Sequence, residues 1–175
     1  MTLLLPPRKR PVRKVAALLI LSLAGHAIGI ANPPPPPPKA AFSLADLQAQ
    51  VPQNKQGAFL LEVPDICNSG GDPEVQAVLA GKTVETVGQV MPDATNNPDG
   101  KRLRVVRSLI VCCALHPKQY AAVLEFPGKA PAFKEMSWIK VVGTIAYRNE
   151  SGKIMPIVSV TNFNETPQPA NLMLH

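Results

Sequence analysis

The sequence predicts a mainly β protein, and three observations carry that prediction. From residue 82 onward apolar residues alternate with polar ones, which is the period of a strand with one buried face. Five such segments follow one another, with a short insertion between the third and the fourth. Gly88 and Gly143 lie inside two of them, where glycine is typical of a bulge or a sharp bend. Strands in this order predict a five-stranded OB-like barrel, with a small sandwich or an open meander as alternatives.

The N-terminal residues 1–31 predict a signal peptide or an N-terminal membrane anchor. Positive charges cluster in residues 8–14, and residues 15–31 contain no Asp, Glu, Lys or Arg. A basic region followed by an apolar one is the layout of an export signal. Since positive charge stays on the cytoplasmic side, we expect the rest of the chain to be exported to the periplasmic or extracytoplasmic face. Residues 15–31 would tether it to the membrane if they are not cleaved.

Residues 32–42 predict a proline-rich linker, and residues 43–80 a helical or irregular lead-in that packs on the barrel. Six consecutive prolines at 33–38 favour an extended polyproline rod. Ser43 and Asp46 form a capping-box pattern that opens a short helix. Residues 58–66 resemble an edge strand that contains Pro64. Asp72 followed by Pro73 is a strong start signal for a further helix, which Gly81 would end.

The predicted barrel domain spans residues 81–165 and is followed by a flexible tail, 166–175. Turn-forming residues at 97–100 and 149–152 separate strands, and 128–137 is a proline-containing loop. In the second strand we expect the apolar residues 109–111 to lie in the core. The five predicted strands are residues 82–91, 103–113, 120–126, 138–148 and 154–163.

The charge distribution argues against a nucleic-acid partner. The chain carries a formal charge of +6, but five positive residues lie within the first fourteen, which leaves +1 for the remainder. A near-neutral remainder has no net attraction for a polyanion. The basic residues Lys101, Arg102, Arg104 and Arg107 are typical of a solvated strand edge.

Four aromatic residues could stack on bases or sugars, as they do on some OB faces. At strand spacing, such residues are more often part of the core. An oligonucleotide- or glycan-binding OB module is therefore an alternative function, and the residues concerned are Tyr120, Trp138, Tyr147 and Phe163.

The cysteines and one histidine are the candidate chemical centre. Thiolates and imidazole are ligands of zinc and copper(I), which predicts a metal- or thiol-handling site at Cys112, Cys113 and His116. Three donors are one fewer than a closed zinc site needs, and Cys67 is the candidate fourth ligand. Adjacent residues of a strand point to opposite faces, so both cysteines can bind one ion only if the chain turns after Cys112.

Two further interpretations of the cysteines remain open. After export, Cys67 could form a disulfide with either Cys112 or Cys113, since the extracytoplasmic compartment is oxidising. Alternatively, the cysteines neither bind a metal ion nor form a disulfide, and one of them is a buried apolar residue, as free cysteine often is. No nucleophile–base pattern or phosphate-binding loop is present in the sequence, so we expect neither catalysis nor an obligatory cofactor.

Three stretches carry a family resemblance: residues 81–90 with their Val-Gly-Gln-Val ending, residues 107–113 with the Cys-Cys pair, and residues 138–143 with a second Val-Gly. Together they resemble the C-terminal domain of a family of uncharacterised bacterial proteins described as permease subunits. The resemblance covers residues 81–163. It implies a domain of unknown function and, as partner, an integral membrane permease or another envelope protein. The function we expect is a non-catalytic binding or assembly module of the cell envelope.

Overall fold

The computed structural model describes residues 41–110, 117–170 and 173–174. It contains three helices, α1 (Leu44–Gln50), α2 (Val63–Ser69) and α3 (Pro73–Leu79). Within these ranges no helix has the length and apolar content needed to cross a bilayer. The predicted signal or anchor at 1–31 and nearly all of the proline linker lie outside the described residues. The strands are β1 (Phe59–Leu60), β2 (Thr83–Pro92), β3 (Arg102–Leu109), β4 (Lys118–Glu125), β5 (Trp138–Glu150), β6 (Lys153–Glu165) and β7 (Met173–Leu174).

Five of these strands form a closed ring. β2 pairs with β5, β5 with β6, and β3 with β4, all antiparallel, while β4 and β6 are parallel neighbours. An antiparallel pairing of β2 with β3 closes the ring. The two short strands attach outside it, β1 beside β2 and β7 beside β3. The closed ring confirms the predicted OB-like barrel and rules out the sandwich and the open meander.

Ring closure requires β2 to change partners half-way along. Residues Thr83 to Gln89 pair with β5, and Gln89 to Pro92 pair with β3. Gly88 lies at the change, where a Cβ atom would stand 2.5 Å from Cγ2 of Val105 and 2.8 Å from the carbonyl oxygen of Val106. Only glycine lets the two backbones approach this closely.

The second strand glycine, Gly143, marks the irregularity that its sequence context predicts. The register between β5 and β6 shifts between Val142 and Gly143, which is a bulge in the ladder. A Cβ atom at Gly143 would collide with the carbonyl oxygen of Ser159 on β6. Bulges raise local twist, and a long strand needs that twist to curve around a small barrel.

The core fills the barrel through strict alternation. In β2 every second residue from Val84 to Val90 is buried, and β5 follows the same rule from Ile139 to Ile145. This confirms the faces that the period of two predicts. The largest fully buried side chains of the barrel are Val84, Val105, Leu124, Ile139, Val141, Ile145, Ile157 and Val158.

Two of the lead-in helices, α1 and α3, begin where their capping residues predict. Ser43 Oγ accepts a hydrogen bond from the amide of Asp46, and the Asp46 carboxylate accepts one from the amide of Ser43. Asp72 caps α3 by accepting hydrogen bonds from the amides of Glu74 and Val75. α2 contacts β4, β3 and β6, and α3 contacts β5, so the lead-in packs on the barrel.

The edge strand predicted for residues 58–66 is wrong for most of its length. Only Phe59 and Leu60 are in a strand, and α2 begins at Val63. Pro64 lies in the first turn of α2, where a missing amide proton costs nothing. The Asp65 carboxylate accepts a hydrogen bond from the amide of Glu62 and completes the start of the helix.

β3 ends at Leu109, and Ile110 lies outside the strand, while residues 111–113 of the predicted strand lie outside the described residues. The β3–β4 ladder stops at the pair Leu109–Lys118, where β4 begins. Leu109 and Ile110, which we expected in the core, are only half-buried, and residue 111 lies outside the described residues. Within the predicted tail, 166–175, the short strand β7 pairs in parallel with β3 at Ser108 and Leu109.

Gly88→Ala is predicted to destabilise the fold by about 1–3 kcal/mol, since the added methyl group meets both backbone and a packed valine. Chemical denaturation followed by far-UV circular dichroism measures the free energy of unfolding. Gly128→Ala is the matched control, because a Cβ atom there meets nothing within 4 Å. Equal stabilities of the two variants would contradict a role for Gly88 in barrel closure.

Candidate functional site

Two loops and the strands between them form a cleft at one end of the barrel. Residues 93–101 connect β2 to β3, and the turn at Ser151 and Gly152 connects β5 to β6. In OB barrels, ligands bind against the corresponding loops and the face between them. We call this space the loop cleft; its volume is about 390 Å³, and it is lined by Asp93, Thr95, Asn96, Arg104, Val123, Glu150, Ser151, Lys153 and Met155.

One wall of the loop cleft is a buried acid held by an arginine. The Asp93 side chain is only 2% exposed, and its Oδ1 lies 3.0 Å from Nε of Arg104. Asp93 also accepts a hydrogen bond from the amide of Thr95, while Arg104 Nη2 lies 3.3 Å from the Thr95 hydroxyl. A carboxylate this deeply buried needs a charged partner. Arg104 is therefore held by Asp93 and lines the loop cleft.

Glu150, which lines the loop cleft, belongs to a cluster of four charges, which we call the ion-pair cluster: Arg102, Glu125, Arg148 and Glu150. Arg102 lies 2.8 Å from Glu150 and 3.3 Å from Glu125, and its side chain is 10% exposed. Both terminal nitrogens of Arg148 donate to the two oxygens of Glu125, a forked pairing with one bond of 2.7 Å. The cluster ties the end of β5 to β3 and β4.

The ion-pair cluster lowers the pKa of both of its carboxyl groups. Hydrogen bonds from Arg148, and then from Arg102, lower the pKa of Glu125 below its ordinary value of 4.5. The pKa of Glu150 is lowered first by Arg102 and further by the Asn96 side chain. Both groups are therefore ionised at neutral pH, and neither is poised to transfer a proton there.

Side-chain hydrogen bonds and two left-handed residues fix the loops themselves. The Asn97 amide group donates to the carbonyl oxygens of Asp93 and Arg102 and accepts from the Arg102 amide. Asn96 and Ser151, on opposite sides of the loop cleft, have φ angles of 57° and 53°. Such angles are uncommon outside glycine and persist where surrounding contacts impose them. The loop cleft is thus a built feature of the barrel end.

The basic residues expected at a solvated strand edge are placed differently. Arg102 and Arg107 are buried, at 8% and 4% exposed, and Arg104 is half-buried against Asp93. The guanidinium of Arg107 lies 5.2 Å from the centre of the Trp138 ring, a cation–π contact. The expectation was wrong for these three arginines, because the fold brings carboxylates and an aromatic ring to them from other parts of the chain. Lys101 is half-exposed and pairs with Asp99.

The four aromatic residues considered for stacking belong to the packing of the domain. Tyr120 and Trp138 are buried. The Phe163 ring packs edge-on against Phe126 and Phe133, with centroids 5.5 Å apart in both pairs. The Tyr147 hydroxyl donates to Ser69 Oγ at 2.9 Å, and burial raises the pKa of Tyr147. None of these four lines the loop cleft.

Of the four candidate metal ligands, the structure describes only Cys67. Cys67 lies in α2, half-buried against the core. Cys112, Cys113 and His116 lie outside the described residues, so the metal site and the alternative disulfides stay predictions. Within residues 41–110, 117–170 and 173–174, no group of three His, Cys, Asp or Glu side chains is arranged to hold a metal ion.

The loop cleft was not predicted as a site. Asp93, Glu125 and Glu150 form no pair by sequence spacing, and their partners come from other strands. One signal could have found the loop cleft: once an OB order is assigned, its first and last hairpin loops are the expected binding loops.

The family model of the DUF1980 C-terminal domain matches residues 75–174, which is more than half of the chain. This chain belongs to the DUF1980 C-terminal domain family. The match confirms the predicted resemblance to a domain of unknown function and includes β2 through β7. It begins inside α3, so α1 and α2 precede the matched region.

The solved structures that match this DUF1980 protein share little sequence with it. The telomere capping protein Ten1 from S. pombe is 16% identical, with 66% of this chain and 86% of that chain covered and a TM-score of 0.36. The S. pombe Stn1–Ten1 complex gives 15% identity, 68% and 86% coverage, and a TM-score of 0.36. A DUF3299 family protein from Pseudomonas aeruginosa PAO1 gives 10% identity, 65% and 99% coverage, and 0.39. The comparison with curated proteins gave no significant match.

Glu125→Gln is predicted to lower stability at neutral pH by about 1 kcal/mol and to flatten its dependence on acid pH. Because the pKa of Glu125 is lower in the folded protein, its ionisation stabilises the fold above about pH 4.5. That contribution is lost as the pH falls through the folded-state pKa. Urea unfolding at a series of pH values between neutral and strongly acidic measures both effects.

Glu135→Gln is the control for this prediction, since Glu135 is exposed in the loop between β4 and β5. It should follow the parent protein across the whole pH series. A Glu125→Gln protein whose stability falls as steeply toward low pH as that of the parent would show that the ion-pair cluster does not contribute.

Proposed function

We propose that this DUF1980 protein is a non-catalytic binding or assembly module of the cell envelope, and that its partner docks at the loop cleft. The observation that carries the proposal is the loop cleft itself, a preformed space at the end of the barrel whose lining combines apolar surface with charges of both signs. A mixed-charge surface favours a partner with complementary charges, as protein surfaces have.

The carboxylates of the loop cleft and the ion-pair cluster are all paired with arginines, and this pairing supports binding rather than catalysis. Asp93 is held by Arg104, and Glu125 and Glu150 are held by Arg102 and Arg148. Both glutamates have lowered pKa values, whereas a general acid or base works best with a pKa near the working pH. Of these groups, Asp93, Arg104 and Glu150 line the loop cleft and give it its charge.

The aromatic residues favour a protein partner over a nucleic acid or a glycan. Single-stranded nucleic acids bind OB faces by stacking bases on aromatic rings. Here the four candidate rings pack within the domain, and the lining of the loop cleft contains no aromatic side chain. Arg102, Arg104 and Arg148 are also paired with carboxylates, which reduces the positive potential that a phosphate backbone would meet.

The envelope location and the partner class rest on the sequence. The basic and then apolar N-terminal segment supports export, with tethering through residues 15–31 if that segment is not cleaved. The resemblance to proteins described as permease subunits supports an integral membrane permease, or another envelope protein, as the partner. In this proposal the barrel is held near the membrane and presents the loop cleft to that partner.

Site-specific photo-crosslinking in cells tests the proposal. A photoreactive amino acid at Lys153, an exposed residue that lines the loop cleft, is expected to give an adduct with an integral membrane protein. The same substitution at Lys134 is the control, because Lys134 is an exposed lysine that does not line the cleft. Mass spectrometry of the adduct identifies the partner.

Three results would contradict the proposal. Adducts of equal yield from Lys134 and Lys153 would show that the loop cleft is not the docking site. Recovery of the full-length chain in the cytosolic fraction, away from membranes and periplasm, would contradict the envelope location. The absence of any adduct from Lys153 under conditions where the protein is folded would count against a resident partner.

A further inference from the structure

A second cavity lies among the three lead-in helices, and it differs in character from the loop cleft. We call it the helical pocket; its volume is about 250 Å³. Leu47, Leu61 and Leu79 form its floor and are each at most 5% exposed. Its walls are the half-buried side chains Phe42, Val51 and Val75. The interior is therefore apolar and open to an apolar group from outside.

The rim of the helical pocket is acidic. Asp65 and Asp72 line the pocket together with Asn68, and all three are exposed. Each aspartate uses one carboxylate oxygen for a helix start, Asp65 Oδ2 for the Glu62 amide and Asp72 Oδ1 for the amides of Glu74 and Val75. The second oxygen of each carboxylate makes none of these bonds, so both charges can also interact with a ligand at the rim.

The charges around the helical pocket have one dominant sign. Residues 43–80 contain one lysine and five carboxylates, a formal charge of −4. Residues 81–165 contain eleven basic and seven acidic residues, a formal charge of +4. The lead-in is therefore acidic and the barrel basic, and their charges cancel in the net charge of the two together. A ligand that approaches the helical pocket meets a negative potential, which attracts cations and repels anionic lipids.

The volume of the helical pocket limits the size of the ligand that it can bind. Pockets for drug-sized ligands are usually about 300–1,000 Å³, so this pocket takes one or two side chains rather than a whole cofactor. The only buried polar side chain in its lining, Ser69, already donates to the Ile66 carbonyl oxygen and accepts from the Tyr147 hydroxyl. The interior thus favours a hydrocarbon or aromatic group, with polar recognition at the rim.

We propose that the helical pocket binds a basic peptide segment through a large apolar side chain, with flanking lysines or arginines against Asp65 and Asp72. The apolar interior favours an apolar group, and the acidic rim favours cations close to it. A peptide presents both within a few ångströms of each other. This binding site is separate from the loop cleft and does not depend on the function proposed for it.

Fluorescence anisotropy with the full-length chain tests the site. The probe is a short labelled peptide in which a Leu-Phe pair is flanked by lysines. Two control peptides replace either the lysines with glutamates or the Leu-Phe pair with glycines, and neither is expected to bind. Binding of the glycine peptide with equal affinity would reduce the site to nonspecific charge attraction and overturn the proposal, as would binding of the glutamate peptide.

Two variants place the binding at the helical pocket. Asp72→Asn removes the charge while asparagine keeps the helix cap, and it is expected to weaken binding about two- to fivefold. Val75→Trp fills the pocket and should weaken binding about tenfold or more, since burial of the peptide side chain is lost. Asp99→Asn, at an exposed barrel-loop residue, is the control and should bind as the parent does.

A thermal unfolding scan accompanies each variant, so that loss of binding through loss of fold is recognised. If Val75→Trp does not fold, two measurements still test the site. One is the peptide affinity of Asp72→Asn, and the other is the affinity of the parent protein for the lysine peptide, which is expected to fall as the salt concentration rises. Parent-like affinity in Asp72→Asn, or affinity equally reduced in Asp99→Asn, would overturn the proposal.

Discussion

The barrel depends on β2 exchanging one partner strand for another half-way along its length. At Gly88 the backbone of β2 leaves β5 and comes close enough to β3 that a Cβ atom would meet both Val105 and Val106. Without this close approach the five strands would form an open sheet. Closure in turn places the loop between β2 and β3 beside the turn between β5 and β6, so the loop cleft is a consequence of the same contact.

Local patterns predicted the elements of the fold because each depends on neighbours in sequence. Alternation in β2 and β5 follows directly from the pleat of a strand, and the capping box at Ser43 is satisfied within one helical turn. Pro64 was misassigned because a proline after apolar residues suits both an edge strand and a helix start. The acid at Asp65, which completes the cap, is the residue that decides for the helix.

The charged residues were harder to predict, because their environment is set by contacts between residues that are far apart in the sequence. Arg102 resembles a surface residue in its own strand, yet its partner Glu125 is 23 residues away and lies directly opposite in the β3–β4 ladder. The same holds for Arg107 over Trp138. Net charge was similarly uninformative, since the acidic lead-in and the basic barrel cancel in the total. Predicting any of these pairs would have required knowing the register in which the strands pair.

The ion-pair cluster has a consequence for how a partner would associate with the loop cleft. Arg148 and Glu150 lie at the end of β5, just before the turn at Ser151, and they are bonded to Glu125 on β4 and to Arg102 on β3. The turn is thus ordered before any partner arrives, so association would not carry the entropy cost of immobilising it. Binding to such a preorganised surface proceeds at a rate set by diffusion and orientation rather than by rearrangement of a loop.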